Sequence, residues 1–174
     1  MNVAQAIQTK RAVRTFANRP LADDDVHWIL YAGRRAQSSK NTQPWHFIAL
    51  RERERLQALS RLGTYAAHLE GAALGIVILT PDPAIRWSIM FDAGQAAAYM
   101  QLAAWERGIG SCPATIYEPN AARELLRFPP DLHVHVALAF GYPRDAGSLT
   151  RPPQSGGRKP FGENIHFETW GSTP

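Results

Sequence analysis

Two short stretches hold the residue types that could do chemistry. The first is Lys10-Arg11-Ala12-Val13-Arg14. Guanidinium forks match phosphate oxygens in bidentate fashion, and an ammonium adds a point charge. The second is Ser38-Ser39-Lys40-Asn41-Thr42-Gln43-Pro44-Trp45. It packs hydroxyls and amides into one loop, and such groups read the edges of a polar heterocycle without charge. A third basic point, Arg158, lies far off in a Gly-rich tail. Alone, each stretch suits a solvated surface. Together they suit one ligand with a phosphate at one end and a hydrogen-bonding ring system at the other. That describes a nucleotide-like cofactor.

Other chemistries lack their residues. There is no Gly-x-x-x-x-Gly-Lys-Ser/Thr phosphate loop and no Gly-x-Gly-x-x-Gly. No Gly-x-Ser-x-Gly nucleophile elbow occurs. His133 and His135 would face the same way on a strand, but no carboxylate or cysteine stands beside them in a metal-ligand pattern. Cys112, the single cysteine, has no base or cation beside it in sequence and reads as a buried structural residue. A lone cysteine also excludes a disulfide-stapled scaffold and a cysteine-rich zinc module.

The elements that must position these residues follow from periodicity. A short helix is expected over residues 2–9, with Val3, Ala4 and Ile7 on one face. A helix over 23–35 has acidic residues in its first turn, where the dipole favours them. Its Val26, Ile29, Leu30 and Gly33 recur at helical spacing. Strands are expected at 46–50, 74–80 and 134–140, and a short strand or loop at 112–116. Leu74 to Thr80 is an unbroken apolar run of the kind a central strand carries. Helices are expected at 51–62, 87–107 and 120–126, with Asn120 as a cap for the last. The 87–107 helix has almost no internal charge beyond Asp92 and Glu106, so it must be buried in the domain or between subunits. Gly108 and Gly110 end it. Residues 147–157 read as a loop before a tail that ends in an apolar patch, Ile165 to Trp170.

The chain has 174 residues, 45% apolar and 20% charged. That is one globular domain over residues 1–174, of α/β or α+β class. Its N-terminus has no apolar core of signal-peptide length, and its longest apolar run, 71–79, is too short to span a bilayer. A cytoplasmic protein without membrane contact is expected. The net charge of +4 suits anionic partners, either nucleic acid or small phosphates.

At this point the residues reach a family. The chain resembles the nitroreductase superfamily of flavin mononucleotide (FMN) enzymes. Lys10-Arg11-Ala12-Val13-Arg14-Thr15-Phe16 is similar to that family's Arg-Arg-Ser-x-Arg-x-Phe, and Pro20-Leu21 to the Pro-Val before its acidic helix. Ser38 to Trp45 matches Ser-x-x-Asn-x-Gln-Pro-Trp. Gly108-Ile109-Gly110-Ser111-Cys112, Gly141-Tyr142-Pro143 and Arg158-Lys159-Pro160-Phe161 resemble its later motifs, in the same order.

The resemblance implies an α+β fold with three layers, α-β-α, a central and mainly antiparallel sheet, and a homodimer with FMN at the interface. It implies that Arg11, Arg14 and Arg158 bind the FMN phosphate, with Lys10 and Ala12 alongside. Ser38, Ser39, Asn41 and Gln43 would meet the ribityl chain and ring edge from the partner subunit. Pro113, Ala114 and Thr115 would lie beside the flavin ring. The implied activity is oxidation of NAD(P)H and reduction of a nitroaromatic, quinone or related small-molecule acceptor, by a ping-pong route. No side chain is expected to be catalytic, because the flavin carries the chemistry.

Some positions depart from the pattern. Ala12 replaces the usual serine and loses a hydroxyl contact. Lys10 replaces the first arginine and loses its fork. Residues 62–74 are short where many members carry covering helices, so the pocket is expected to be open, or covered by the partner or by 147–157. Pro113-Ala114-Thr115 is an unusual sequence there, which leaves the Thr115 hydroxyl or a backbone N–H to bond the flavin N5. Two other readings stand beside the leading one. The first is a flavoenzyme of the same fold with different chemistry: a dehydrogenase, a reductive dehalogenase or a flavin-fragmenting enzyme. The second is a basic nucleic-acid-binding module. Its stacking platforms would have to come from five tryptophans, none interleaved with a Lys/Arg stripe.

Overall fold

The structure is a computed structural model that describes residues 1–149 and 157–172. Four strands form one antiparallel sheet: β1 (His46–Leu50), β2 (Leu74–Thr80), β3 (Gly110–Thr115) and β4 (His133–Gly141). Their order is β1-β2-β4-β3. The register pairs Ile48 with Val77, Ile76 with Leu138 and Cys112 with Ala139. Every residue of β2 is buried, as its unbroken apolar run requires.

Helices cover both faces. On one face lie α2 (Asp23–Arg34) and α4 (Ser88–Glu106), closing a core of Ile29, Ile76, Met100 and Phe140. On the other lie α3 (Arg53–Ser60) and α5 (Pro119–Leu126), over Leu56, Leu59, Val77 and Ala122. The result is the expected three-layer α-β-α arrangement around an antiparallel sheet. Gly33 brings α2 against α4: a Cβ there would come within 2.6 Å of Met100. Among the described residues, no helix is long and apolar enough to cross a membrane.

Several boundaries differ from expectation for local reasons. Helix α3 starts at Arg53, because Glu52 is still extended and serves as its N-cap. In α5, Pro119 takes the first helical position and Glu118 the cap, so Asn120 does not cap it. Asn120 instead accepts from Arg123 at 3.3 Å. Gly108, at φ 72, terminates α4; the N–H groups of Gly108 and Ile109 return to Trp105 and Ala104. Gly110 does not end the helix. It opens β3, where a Cβ would strike Val13 at 2.6 Å.

The expected burial is reversed in α1 and is met on one face only in α4. In α1 (Val3–Thr9), Asn2 and Gln5 form a reciprocal capping box, but Val3 and Ile7 face outward and only Ala6 is buried. Helix α4 buries one face on the sheet and leaves Phe91 and Tyr99 exposed on the other. Trp87, expected inside the helix, is its N-cap and is 80% exposed. The tail carries α6 (Phe161–Asn164) and an exposed Trp170. Of the expected loop at 147–157, residues 146–149 form a 3₁₀ turn; residues 150–156 lie outside the described residues.

Candidate functional site

The basic segment leaves α1 and runs along the end of the sheet. The Val13 N–H donates to the Ser111 carbonyl at 3.0 Å, and Ala12 pairs with Ser111 beside β3. Farther on, Phe16 bridges to Pro143 after β4. Val13 and Phe16 are buried and anchor the segment, while Lys10 and Arg11 are half-buried and Arg14 is exposed.

Lys10, Arg11 and Arg158 line one cleft of about 260 Å³, together with Gln8 and Thr9. Sequence distance is thus erased for Arg158. Arg14 opens into the adjoining cleft, which it shares with Arg11, Ala12 and Arg144. Arg11 Nε donates to the Thr9 carbonyl at 3.0 Å, and Lys10 is tied to α4. Its Nζ donates to Gln101 Oε1 on α4 at 2.5 Å. Burial pushes its pKa down, and the nearby Cys112 pulls it back up. A partly desolvated ammonium whose fixed partner is a neutral amide favours an arriving anion. The chain therefore has the donors a phosphate needs, and they converge.

The second stretch folds as a 3₁₀ turn, Ser39–Asn41, between α2 and β1. Lys40, Asn41 and Gln43 all have positive φ, at 53°, 54° and 48°. Three left-handed residues in so short a loop store backbone strain, which concentrates at ligand sites. The loop is pinned by two bonds from outside and one within it. The Ser39 N–H donates to Asp92 on α4 at 3.1 Å. The Gln43 N–H donates to Ser38 Oγ at 2.9 Å. Arg86 donates to Thr42 Oγ1 at 2.7 Å. Pro44 and Trp45 are buried beneath, while Asn41 and Gln43 remain exposed.

β3 supplies a third surface. Pro113 and Thr115 are exposed, and Ala114 is buried. The segment after α3 closes over the strand end: a Cβ on Gly63 would stand 2.1 Å from the Thr115 carbonyl oxygen. Cys112 is buried as expected. Its setting is more electropositive than the sequence suggested, since Arg14 and Lys10 both pull its pKa down. Burial outweighs them and the thiol titrates above its ordinary value. His68, in the 3₁₀ turn Ala67–Leu69, has its pKa lowered, first by burial; Arg14 lowers it further, against the backbone carbonyls of Cys112, Tyr65 and Pro113.

Within one chain these surfaces do not all meet. Lys10, Arg11, Arg158 and the start of β3 converge near the C-terminal half of α4. The Ser38–Gln43 loop sits at the N-terminal half of α4. Sequence reading missed Gln101 and Asp92, which hold the two groups. Only Asp92 left a signal, as a lone carboxylate inside an apolar helix. His133 and His135 lie together on β4, and no group of three metal-ligating residues occurs among the described residues.

Comparison with known proteins adds an independent line. The model of the nitroreductase family matches residues 7–68 and 60–142. A protein of Archaeoglobus fulgidus, provisionally assigned as an NADH dehydrogenase/NAD(P)H nitroreductase, is 36% identical over 148 residues. The match covers 80% of this chain and 84% of that protein. The solved FMN-dependent nitroreductase of Clostridium difficile superposes with a TM-score of 0.84 at 26% identity. It covers 97% of this chain and 100% of that one. The NfrA2 structure of B. megaterium gives 0.86 at 22% identity, but this chain spans 76% of it.

Proposed function

The chain belongs to the nitroreductase family, and from that premise we propose that it is a cytoplasmic, homodimeric, FMN-dependent NAD(P)H oxidoreductase. Its acceptors are nitroaromatics, quinones or related small molecules. The observation that carries this reading is the cleft of Lys10, Arg11 and Arg158, a phosphate-sized set of donors gathered from the two ends of the chain. When bound, FMN would supply the redox chemistry, hydride acceptance from NAD(P)H and reduction of the acceptor in ping-pong order.

The protein's own residues bind and orient. Lys10, Arg11 and Arg158 hold the phosphate, with Arg14 and the methyl of Ala12 beside them. The exposed face of Pro113 and Thr115, stiffened by buried Ala114, supports the ring. The Thr115 hydroxyl or a backbone N–H there would be the group to bond its reacting nitrogen. The cations of this region stabilise negative charge on the ligand.

The amide loop comes from a second copy. In one chain Ser38, Ser39, Asn41 and Gln43 stand at the opposite half of α4 from the basic cleft. The exposed Trp87 and Phe91 along α4, with Gly94 open between turns, give an apolar face for that copy. Comparing FMN with riboflavin tests the reading. FMN binds more tightly than riboflavin by tenfold or more, and Arg11→Gln or Arg158→Gln narrows that difference. Equal affinity for both flavins in every variant contradicts it.

A further inference from the structure

A second arginine cluster lies away from the proposed cofactor site. Beyond Phe16 the basic segment continues along the sheet end to Arg19. There it meets Arg51 and Arg53, which follow β1. The three arginines line a cleft of about 190 Å³, with Leu56 and residues 71–73 among its other walls. None of its lining residues belongs to the clefts that hold Lys10, Arg14 or Arg158.

The charges there are only partly compensated. Arg51 donates to Asp23 and, at 2.9 Å, to the Leu21 carbonyl. Arg19 lies over the Tyr142 ring at 4.1 Å and has no carboxylate partner among the described residues. Arg53 has no ion pair among them either. Of its two acidic neighbours in sequence, Glu52 is committed to Arg55 at 2.8 Å, and Glu54 makes no ion pair with Arg53 among the described residues. Arg53 also occupies the first position of α3, the end at which the helix dipole disfavours a cation. Three guanidiniums around one small cleft repel each other when nothing lies between them.

We propose that Arg19, Arg51 and Arg53 form a second anion site, which takes a compact phosphate dianion. The cleft is too small for a nucleotide and large enough for one phosphate group. That phosphate is either free or the terminal group of a larger molecule. In the second case the 2′-phosphate of NADPH is a candidate, and this arm rests on the function proposed above.

The test uses the full chain saturated with FMN, so that the cofactor cleft is filled. Inorganic phosphate is titrated and thermal stability is read, with equal ionic strength held by chloride. Phosphate raises the melting temperature saturably, and Arg19→Gln or Arg53→Gln weakens that effect about tenfold or more. Without phosphate, Arg53→Gln melts no lower than the parent, because the cation it removes is repelled. A stabilisation by phosphate that is identical in the parent and both variants, or absent from all, overturns the proposal. So does a large loss of stability in Arg53→Gln without phosphate. A rise in KM for NADPH but not NADH in the same variants identifies the dinucleotide as the source; unchanged values for both leave free phosphate as the ligand. If FMN does not bind, the same titration on the FMN-free chain still decides the arginine cleft, so the two readings fail separately.

Discussion

Asp92 and Gln101 stand nine residues apart on α4, about 14 Å along its axis, and each holds one half of the candidate site. Asp92 accepts the N–H of Ser39 at 3.1 Å, and Gln101 accepts from Lys10 at 2.5 Å. One helix therefore sets the spacing between the amide loop and the basic cleft. A second copy of the chain is the simplest way to bring an amide loop to a basic cleft.

Asp92 is 2% exposed, and its bond fixes a loop with three left-handed residues. Asp92→Ala leaves the Ser39 N–H without its acceptor, at a cost of about 1–3 kcal/mol. FMN affinity falls about tenfold as the loop relaxes. Asp92→Asn keeps an acceptor oxygen and loses much less. Chemical denaturation and flavin fluorescence titration read both effects; equal behaviour of the two variants contradicts this role.

Lys10, proposed above to hold the phosphate, should trade stability for binding. Its ammonium is partly desolvated, and its hydrogen bond is to the neutral amide of Gln101. Lys10→Met removes that burial cost, so the cofactor-free variant melts at the parent's temperature or above. FMN binding weakens by tenfold or more. A variant that melts well below the parent shows a structural lysine instead.

His68 gives the fold an acid sensitivity. Its pKa lies below the ordinary 6.5, chiefly through burial. The unfolded chain therefore takes up this proton first. The contribution is intact above about pH 6.5 and is lost as pH falls through the folded value. His68→Leu should flatten the loss of stability between pH 7 and pH 5.5, read from urea midpoints. Parallel losses in parent and variant contradict the assignment.

The exposed face of α4 predicts association. Phe91 is 62% exposed and Gly94 meets nothing within 4 Å. Phe91→Glu should shift the mass measured by light scattering from dimer to monomer and lower FMN affinity in step. A monomeric parent that binds FMN fully would contradict the two-chain site.

The fold was legible because its signals are local. The apolar run of β2, the three aspartates opening α2 and the Gly108 terminus of α4 each follow from a few neighbouring residues. The basic segment and the amide loop were legible by residue type. Burial was misread where a helix face needs a partner: Val3, Ile7 and Trp87 are apolar yet exposed in one chain. The contacts of Lys10 with Gln101 and of Ser39 with Asp92 join residues 91 and 53 positions apart, so no spacing rule reaches them. The cations around Cys112 were likewise invisible, because Arg14 reaches it only through the packing of its segment on β3.

The most direct test of the proposed activity is anaerobic reduction of the FMN-loaded protein. FMN is added to purified chain, excess is removed, and NADH or NADPH is introduced without oxygen. The account predicts that flavin stays with the protein and that its visible absorption bleaches, then returns on adding a quinone or nitroaromatic. Flavin that binds but never bleaches would point to another chemistry on the same fold. A chain that retains no flavin would contradict the account at its centre.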